Sequence, residues 1–128
     1  MKTLTALSLY CFTFMYSLPT WGQLETVSSV REKSALRKAK ELREKLVQGA
    51  DFATLAKAHS DDPGSAPMGG ELGFVDQEQF VPEYQAAVAT LSPGELSLPV
   101  RSQFGYHLIE LIERKEDQVR TRHLLIKP

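Results

Sequence analysis

Apolar positions along this chain change period several times, and each change marks an element. From Glu32 onward Leu36, Ala39, Leu42 and Leu46 recur at helical spacing, and Gly49 follows where a left-handed residue ends a helix. Asp51 then offers its carboxylate as the N-cap of a second, shorter helix, ADFATLAKAHS, with Phe52, Leu55 and Ala56 facing inward. The stretch SDDPGSAPMGG, dense in Gly, Pro, Ser and Asp, reads as loop. ELGFV reads as a short strand, and VPEYQAAVATL as a helix with Pro82 in its first turn. In SPGE, Pro93 and Gly94 are placed for a type II turn.

The period then shortens to two. LSLPVRS and GYHLIELIE read as strands; in the second, His107, Ile109 and Leu111 share one face, while Tyr106, Leu108, Glu110 and Ile112 share the other. RKEDQ is a polar connection to a last strand, VRTRHLLIK. There Val119, Thr121, His123 and Leu125 share a face opposite Arg120, Arg122, Leu124 and Ile126. The order α-α-β-α-β-β-β predicts an α+β domain, with about three helices and a small antiparallel sheet of about four strands. At 128 residues the chain is long enough for one domain with appendages.

Composition adds little to this picture. The chain is 42% hydrophobic and 24% charged with a formal charge of −1, so no basic field points to nucleic acid. The Lys/Arg-rich REKSALRKAKELREK also carries Glu32, Glu41 and Glu44 at helical spacing, which is the pattern of a solvated helix face. The first segment is different. MKTLTALSLYCFTFMYSLPTWGQ has Lys2, an apolar stretch from Leu4 to Leu18 and small residues near Thr20 and Gly22, the layout of a secretory signal over residues 1–23. Its apolar stretch is short for a spanning helix, which needs about 20 residues. Cys11 is the sole cysteine and lies inside this segment, so cleavage would leave a chain without disulfides and about one unit more negative. Residues 24–31 read as a polar connector, and 32–128 as the domain.

Six pieces of the domain together carry a resemblance. They are the acidic-Phe-x-x-Leu-Ala helix at Asp51, the Ser-x-Asp-Pro-Gly-Ser loop at Ser60, Gly-Gly-Glu-Leu-Gly at Gly69, Phe-Val-Pro-Glu-Tyr at Phe80, Pro-Gly-Glu-Leu-Ser at Pro93, and Phe-Gly-Tyr-His-Leu-Ile at Phe104. In this order over residues 49–114 they resemble the parvulin-type peptidyl-prolyl cis–trans isomerases, in particular the secreted bacterial branch that includes periplasmic chaperones with tandem parvulin domains. That family has a first strand of the form Arg-His-Ile-Leu-Ile-Lys ahead of its first helix. Here nothing of that form precedes Glu32, and RHLLIK stands instead within residues 119–128. Two expectations follow. Strand 119–127 fills the missing first-strand slot from the other end, as in a circular permutation, paired antiparallel with GYHLIELIE through RKEDQ; or it opens a further domain of a longer tandem protein.

The resemblance implies a non-covalent rotamase. Its apolar cup for the proline ring would be Leu72, Phe80 and Tyr84, with Met68 and Phe104 nearby; its polar wall would be Asp62, His107 and His123, with Ser102 as a fourth member. Each residue also has a plainer reading. Phe80 and Tyr84, four apart, suit a helix packing pair, and two sheet histidines can simply order a core. In the loop, Asp61 is assigned the turn-capping role and Asp62 the site role, either electrostatic or as a hydrogen-bond acceptor. His59 reads as a dipole partner at the end of the second helix. The expected ligands are unphosphorylated X–Pro segments of unfolded or secreted proteins, with no cofactor, no metal and no nucleic acid, and membrane contact only through the signal. The competing class is a non-catalytic parvulin-fold chaperone module.

Overall fold

A computed structural model describes residues 25–128; the expected signal over 1–23 and Cys11 lie outside them. Helix α1 runs from Val27 to Val47, α2 from Phe52 to His59 and α3 from Pro82 to Thr90. The strands are β1 (Glu71–Asp76), β2 (Val100–Ser102), β3 (Gly105–Lys115) and β4 (Gln118–Ile126). Residues 27–31, expected as connector, therefore belong to α1. Thr26 caps that helix by accepting the Ser29 amide at 3.2 Å, and one capping oxygen outweighs the weak helix preference of the Val-Ser-Ser that follows. The other end behaves as expected: Gly49 adopts φ 103° and Ala50 N–H returns to the Lys45 carbonyl at 3.0 Å. Asp51 caps α2 through Thr54 at 3.0 Å.

The four strands form one antiparallel sheet in the order β1-β4-β3-β2. β4 thus sits inside the sheet, hydrogen-bonded on both sides, as the permuted arrangement requires. It joins β3 through a two-residue turn at Glu116-Asp117, shorter than the expected RKEDQ connection because Arg114, Lys115 and Gln118 remain in register. LSLPVRS contributes a regular strand only at Val100–Ser102, with an isolated bridge between Leu96 and Glu110; Pro99, which has no amide to donate, separates the two. Strand alternation in β3 ends at Ile112, the extra residue of a bulge between Leu111 and Glu113.

Helices cover both faces of the sheet. On one face Ala35, Ala39 and Leu42 of α1 and Phe52 and Ala56 of α2 enclose Tyr106, Leu108, Leu124 and Ile126. The two alanines let α1 lie close to the strands, while Leu36 and Leu46 of the expected stripe pack at its margins. On the other face α3 sets Tyr84 and Val88 against Ile109, Leu111 and Val119. This second layer covers only part of its face. What it leaves open is a cavity.

Candidate functional site

The cavity holds about 500 Å³ and lies where β4, β3, the start of α3 and the Asp61–Pro63 loop converge. Its apolar side is formed by Leu72, Phe80, Tyr84 and Phe104, and its polar side by Asp62, His107 and His123. Phe80 and Tyr84 stack with ring centroids 4.4 Å apart at 22°, as their spacing of four suggests. Phe80 immediately precedes Val81, the N-cap residue of α3, and Pro82 opens the helix, so the aromatic pair is fixed at a helix terminus. Phe104 stands half-exposed at the rim. Met68 departs from expectation. It faces solvent outside the cavity, because the 3₁₀ turn Ala66–Met68 ends in left-handed Gly69 and turns its side chain away.

The polar residues form one continuous hydrogen-bonded chain. His107 and His123 project from neighbouring strands on the same face, offset by two in register because His107 opposes Leu125 and His123 opposes Ile109. Their rings lie 5.4 Å apart at 18°, with Nδ1 to Nδ1 at 3.1 Å. His107 Nε2 meets Ser102 Oγ at 2.6 Å, and His123 Nε2 meets Asp62 at 2.7 Å. Ser65 Oγ–H donates to the same carboxylate at 2.6 Å. Ser102 does not line the cavity; it supports His107 from behind and accepts the Phe104 amide at 3.1 Å. Gly70 completes the frame: its carbonyl accepts the His123 amide at 2.9 Å, and a Cβ there would collide with the His123 carbonyl, so strand contact at the histidine needs glycine.

Proton positions follow from the ends of this chain. Partial burial opposes ionisation of Asp62, but hydrogen bonds from Ser65, His123 and the Gly64 amide outweigh it and hold the carboxyl below its ordinary range. An ionised Asp62 can only accept, so His123 presents Nε2–H to it. Burial lowers the His123 ring despite the pull of Asp62, keeping it neutral, with Nδ1 free to accept. His107 is pulled down to about 4, first by burial and then by His123 against the opposing Asp62, and is also neutral. It donates Nδ1–H to His123 and accepts the Ser102 hydroxyl at Nε2. All donors point one way, from Ser102 to Asp62. Such a chain fixes two imidazoles in single tautomers and presents a carboxylate, only partly covered, at the cavity wall.

Several assignments within the loop change. Asp62 takes the turn role expected of Asp61, accepting the Gly64 amide at 3.1 Å through one carboxylate oxygen while the other meets Ser65 and His123. Asp61 instead ties the loop to the end of β4. Its amide donates to the Leu125 carbonyl at 2.7 Å and its carboxylate accepts the Lys127 amide at 2.9 Å. A carboxylate has enough lone pairs for capping and site contacts together, so the loop needs no division of labour. Ser65, buried beneath Asp62, joins the site as well, and its place in Asp-Pro-Gly-Ser is the sequence signal for it. His59 occupies the last turn of α2, away from the cavity. Among the described residues no group of three or more His, Cys, Asp or Glu side chains is arranged to hold a metal.

Comparison with known proteins agrees with this geometry. The family model for the rotamase PPIC-type PPIase domain matches residues 20–113. Chaperone SurA of Nitrosospira multiformis is 49% identical over 88 residues, which are 69% of this chain and 20% of that protein. Foldase protein PrsA 4 of Bacillus cereus is 51% identical over 78 residues, covering 61% of this chain and 28% of that one. The crystal structure of the peptidylprolyl isomerase PrsA from Bacillus cereus superposes with a TM-score of 0.60 at 49% identity, over 62% of this chain and 31% of that chain. The chain thus spans less than a third of each of these relatives. With a matched family model over most of its length, a parvulin-like α+β fold and a cavity of this build, the chain belongs to the PPIC-type peptidyl-prolyl isomerase (rotamase) family.

Proposed function

We propose that this domain catalyses cis–trans isomerisation of X–Pro bonds in unfolded proteins that have crossed a membrane, with the periplasm as its site of action. One observation carries the reading: an apolar aromatic cup faces an ionised carboxylate, held by a neutral imidazole pair, across a single cavity. Rotation about the peptide bond has a barrier of roughly 18–20 kcal/mol, and no covalent bond need break. The cup of Leu72, Phe80 and Tyr84 grips the proline ring while the preceding carbonyl turns beside Asp62. In the planar amide, resonance places more negative charge on that oxygen than in the twisted one. A fixed carboxylate therefore opposes the planar state more than the twisted one, and each ~1.4 kcal/mol of that difference is tenfold in rate. His107 and His123 hold Asp62 in place and pass no proton to substrate. Location rests on the signal layout of residues 1–23.

A second reading, a chaperone module that binds unfolded chains without isomerising them, is favoured by the name of the chaperone relative. One experiment separates the two: isomerisation of Ala–Pro and Leu–Pro tetrapeptides, measured beside suppression of aggregation of an unfolded outer-membrane protein. Acceleration over buffer supports the enzyme. Aggregation suppression with a buffer rate of isomerisation supports the chaperone.

A further inference from the structure

The interior of the site contains one hydroxyl pair that the proposed chemistry does not use. Tyr84 Oη and Thr121 Oγ1 lie 2.9 Å apart, and both residues are buried, Thr121 completely. Burial also pushes the Tyr84 hydroxyl above its ordinary range, so it remains a protonated donor and acceptor. Packing alone would be served by valine at 121, which has nearly the shape of threonine and no polar atom to satisfy. A hydroxyl here has a role only toward Tyr84.

The position of Tyr84 explains what that role accomplishes. One face of its ring stacks on Phe80. It also makes edge contacts with both imidazoles, with centroids 5.5 Å from His107 and 5.8 Å from His123. Tyr84 thus touches both Phe80 of the proline cup and the histidine pair. Thr121 lies two residues before His123 on the same face of β4, opposite Leu111 of β3 and Gly73 of β1. A hydrogen bond from the tip of the ring to that strand fixes how deep the ring sits and how it is turned.

We propose that Thr121 is a positioning residue that, through Tyr84, sets the distance and angle between the proline-binding cup and the Asp62–His123–His107 wall. This rests on the isomerase reading above. The hydroxyl does not reach the cavity. It acts by geometry: misplacing a reacting group by a fraction of an ångström lowers the rate without abolishing binding.

The test uses the full chain and three variants, Thr121→Val, Thr121→Ser and Tyr84→Phe, with rates for an Ala–Pro tetrapeptide referred to the folded fraction measured by circular dichroism. Thr121→Val keeps the volume and loses the hydroxyl; kcat is expected to fall about tenfold with KM within about twofold. Thr121→Ser keeps the hydroxyl and loses a methyl; it is expected to unfold more easily yet regain most of kcat. Tyr84→Phe should lose about as much as Thr121→Val, and the double variant no more than either alone. Equal losses in the serine and valine variants would assign Thr121 to packing and overturn the proposal, as would a wild-type kcat in Thr121→Val or losses that multiply in the double variant. A wild-type chain at the buffer rate is a different failure, that of the isomerase reading. The Thr121 assignment is then decided by the imidazole ring resonances of His107 and His123, which should move in Thr121→Val and return in Thr121→Ser. Unmoved resonances in Thr121→Val overturn it.

Discussion

Strands β3 and β4 supply both faces of the sheet with alternate residues, and the two faces have been put to opposite uses. Tyr106, Leu108, Leu124 and Ile126 point toward α1 and α2 into a layer built almost wholly of carbon. Their immediate neighbours His107 and His123 point the other way, into a hydrogen-bonded chain beside an open cavity. The first face can be packed to the density of an organic crystal because its polar groups are few, the Tyr106 hydroxyl and the Arg122–Glu110 pair among them. The second must satisfy each nitrogen and oxygen it buries, and among the described residues it leaves no buried side-chain polar atom without a partner. One side of the two-strand ribbon carries a closed apolar core, and the other carries a second core beside the candidate site.

The sharpest way to break this contrast is to remove volume from the apolar face. Leu108→Ala should cost about 2–5 kcal/mol in urea unfolding, with isomerase activity per folded molecule retained. A collapse of specific activity would show that the two faces are not separable. Next comes the opposite experiment. Asp62→Asn removes the charge and keeps the shape, and we expect kcat/KM to fall roughly ten- to a hundredfold while KM changes little. An undiminished rate would rule out the electrostatic role of the carboxylate.

Acid should act on the two faces differently as well. His107 has a folded value of about 4, below its unfolded value of about 6.5. Between these limits the unfolded chain binds a proton that the folded chain refuses, so the contribution is intact above about 6.5 and declines as the pH falls toward 4. Stability should drop by about 1 kcal/mol per pH unit in that window. Urea midpoints from pH 7.5 down to 4.5 would show it, and His107→Gln should flatten the slope; an unchanged slope in that variant would place the sensitivity elsewhere. The smallest effect lies at the far end of the ribbon, distant from both layers. Glu116 turns the β3–β4 hairpin at φ 56°, a conformation that costs a side-chain-bearing residue about 1–2 kcal/mol. Glu116→Gly should raise the unfolding free energy slightly, by about 0.5 kcal/mol after the entropy of a freer unfolded chain is subtracted, and so the urea midpoint, without altering the rate.

Much of this was legible in one dimension because it repeats. The period of two set His107 on a face with Ile109 and Leu111 and His123 on a face with Val119 and Thr121. The family resemblance set the two side by side, and Gly49, Asp51 and the Pro93-Gly94 turn punctuate the chain where the structure does. What the periods do not carry depends on single contacts, some local and some between distant residues. Thr26 starting α1 early needed one oxygen and no apolar period. The sharing of turn and site contacts by Asp62 depends on the lone-pair capacity of one carboxylate. The outward turn of Met68 follows from a left-handed glycine next to it. Thr121 reads as a strand filler until Tyr84, 37 residues earlier, is seen to meet it. Periodicity reports faces. It says nothing of which polar atom on a face will find which partner.

The interior position of β4 has a bearing on the order in which the domain can form. Read from the N-terminus, β1 is made first and its hydrogen-bonding neighbour last, with α3, β2 and β3 between them. A chain emerging in that direction holds β1 without its pairing strand, and α2 without Leu124 and Ile126, until β4 arrives. The β3–β4 hairpin closes locally, whereas the β1–β4 pairing spans the segments between them. The four-stranded sheet is therefore complete only once nearly all of the described chain is available.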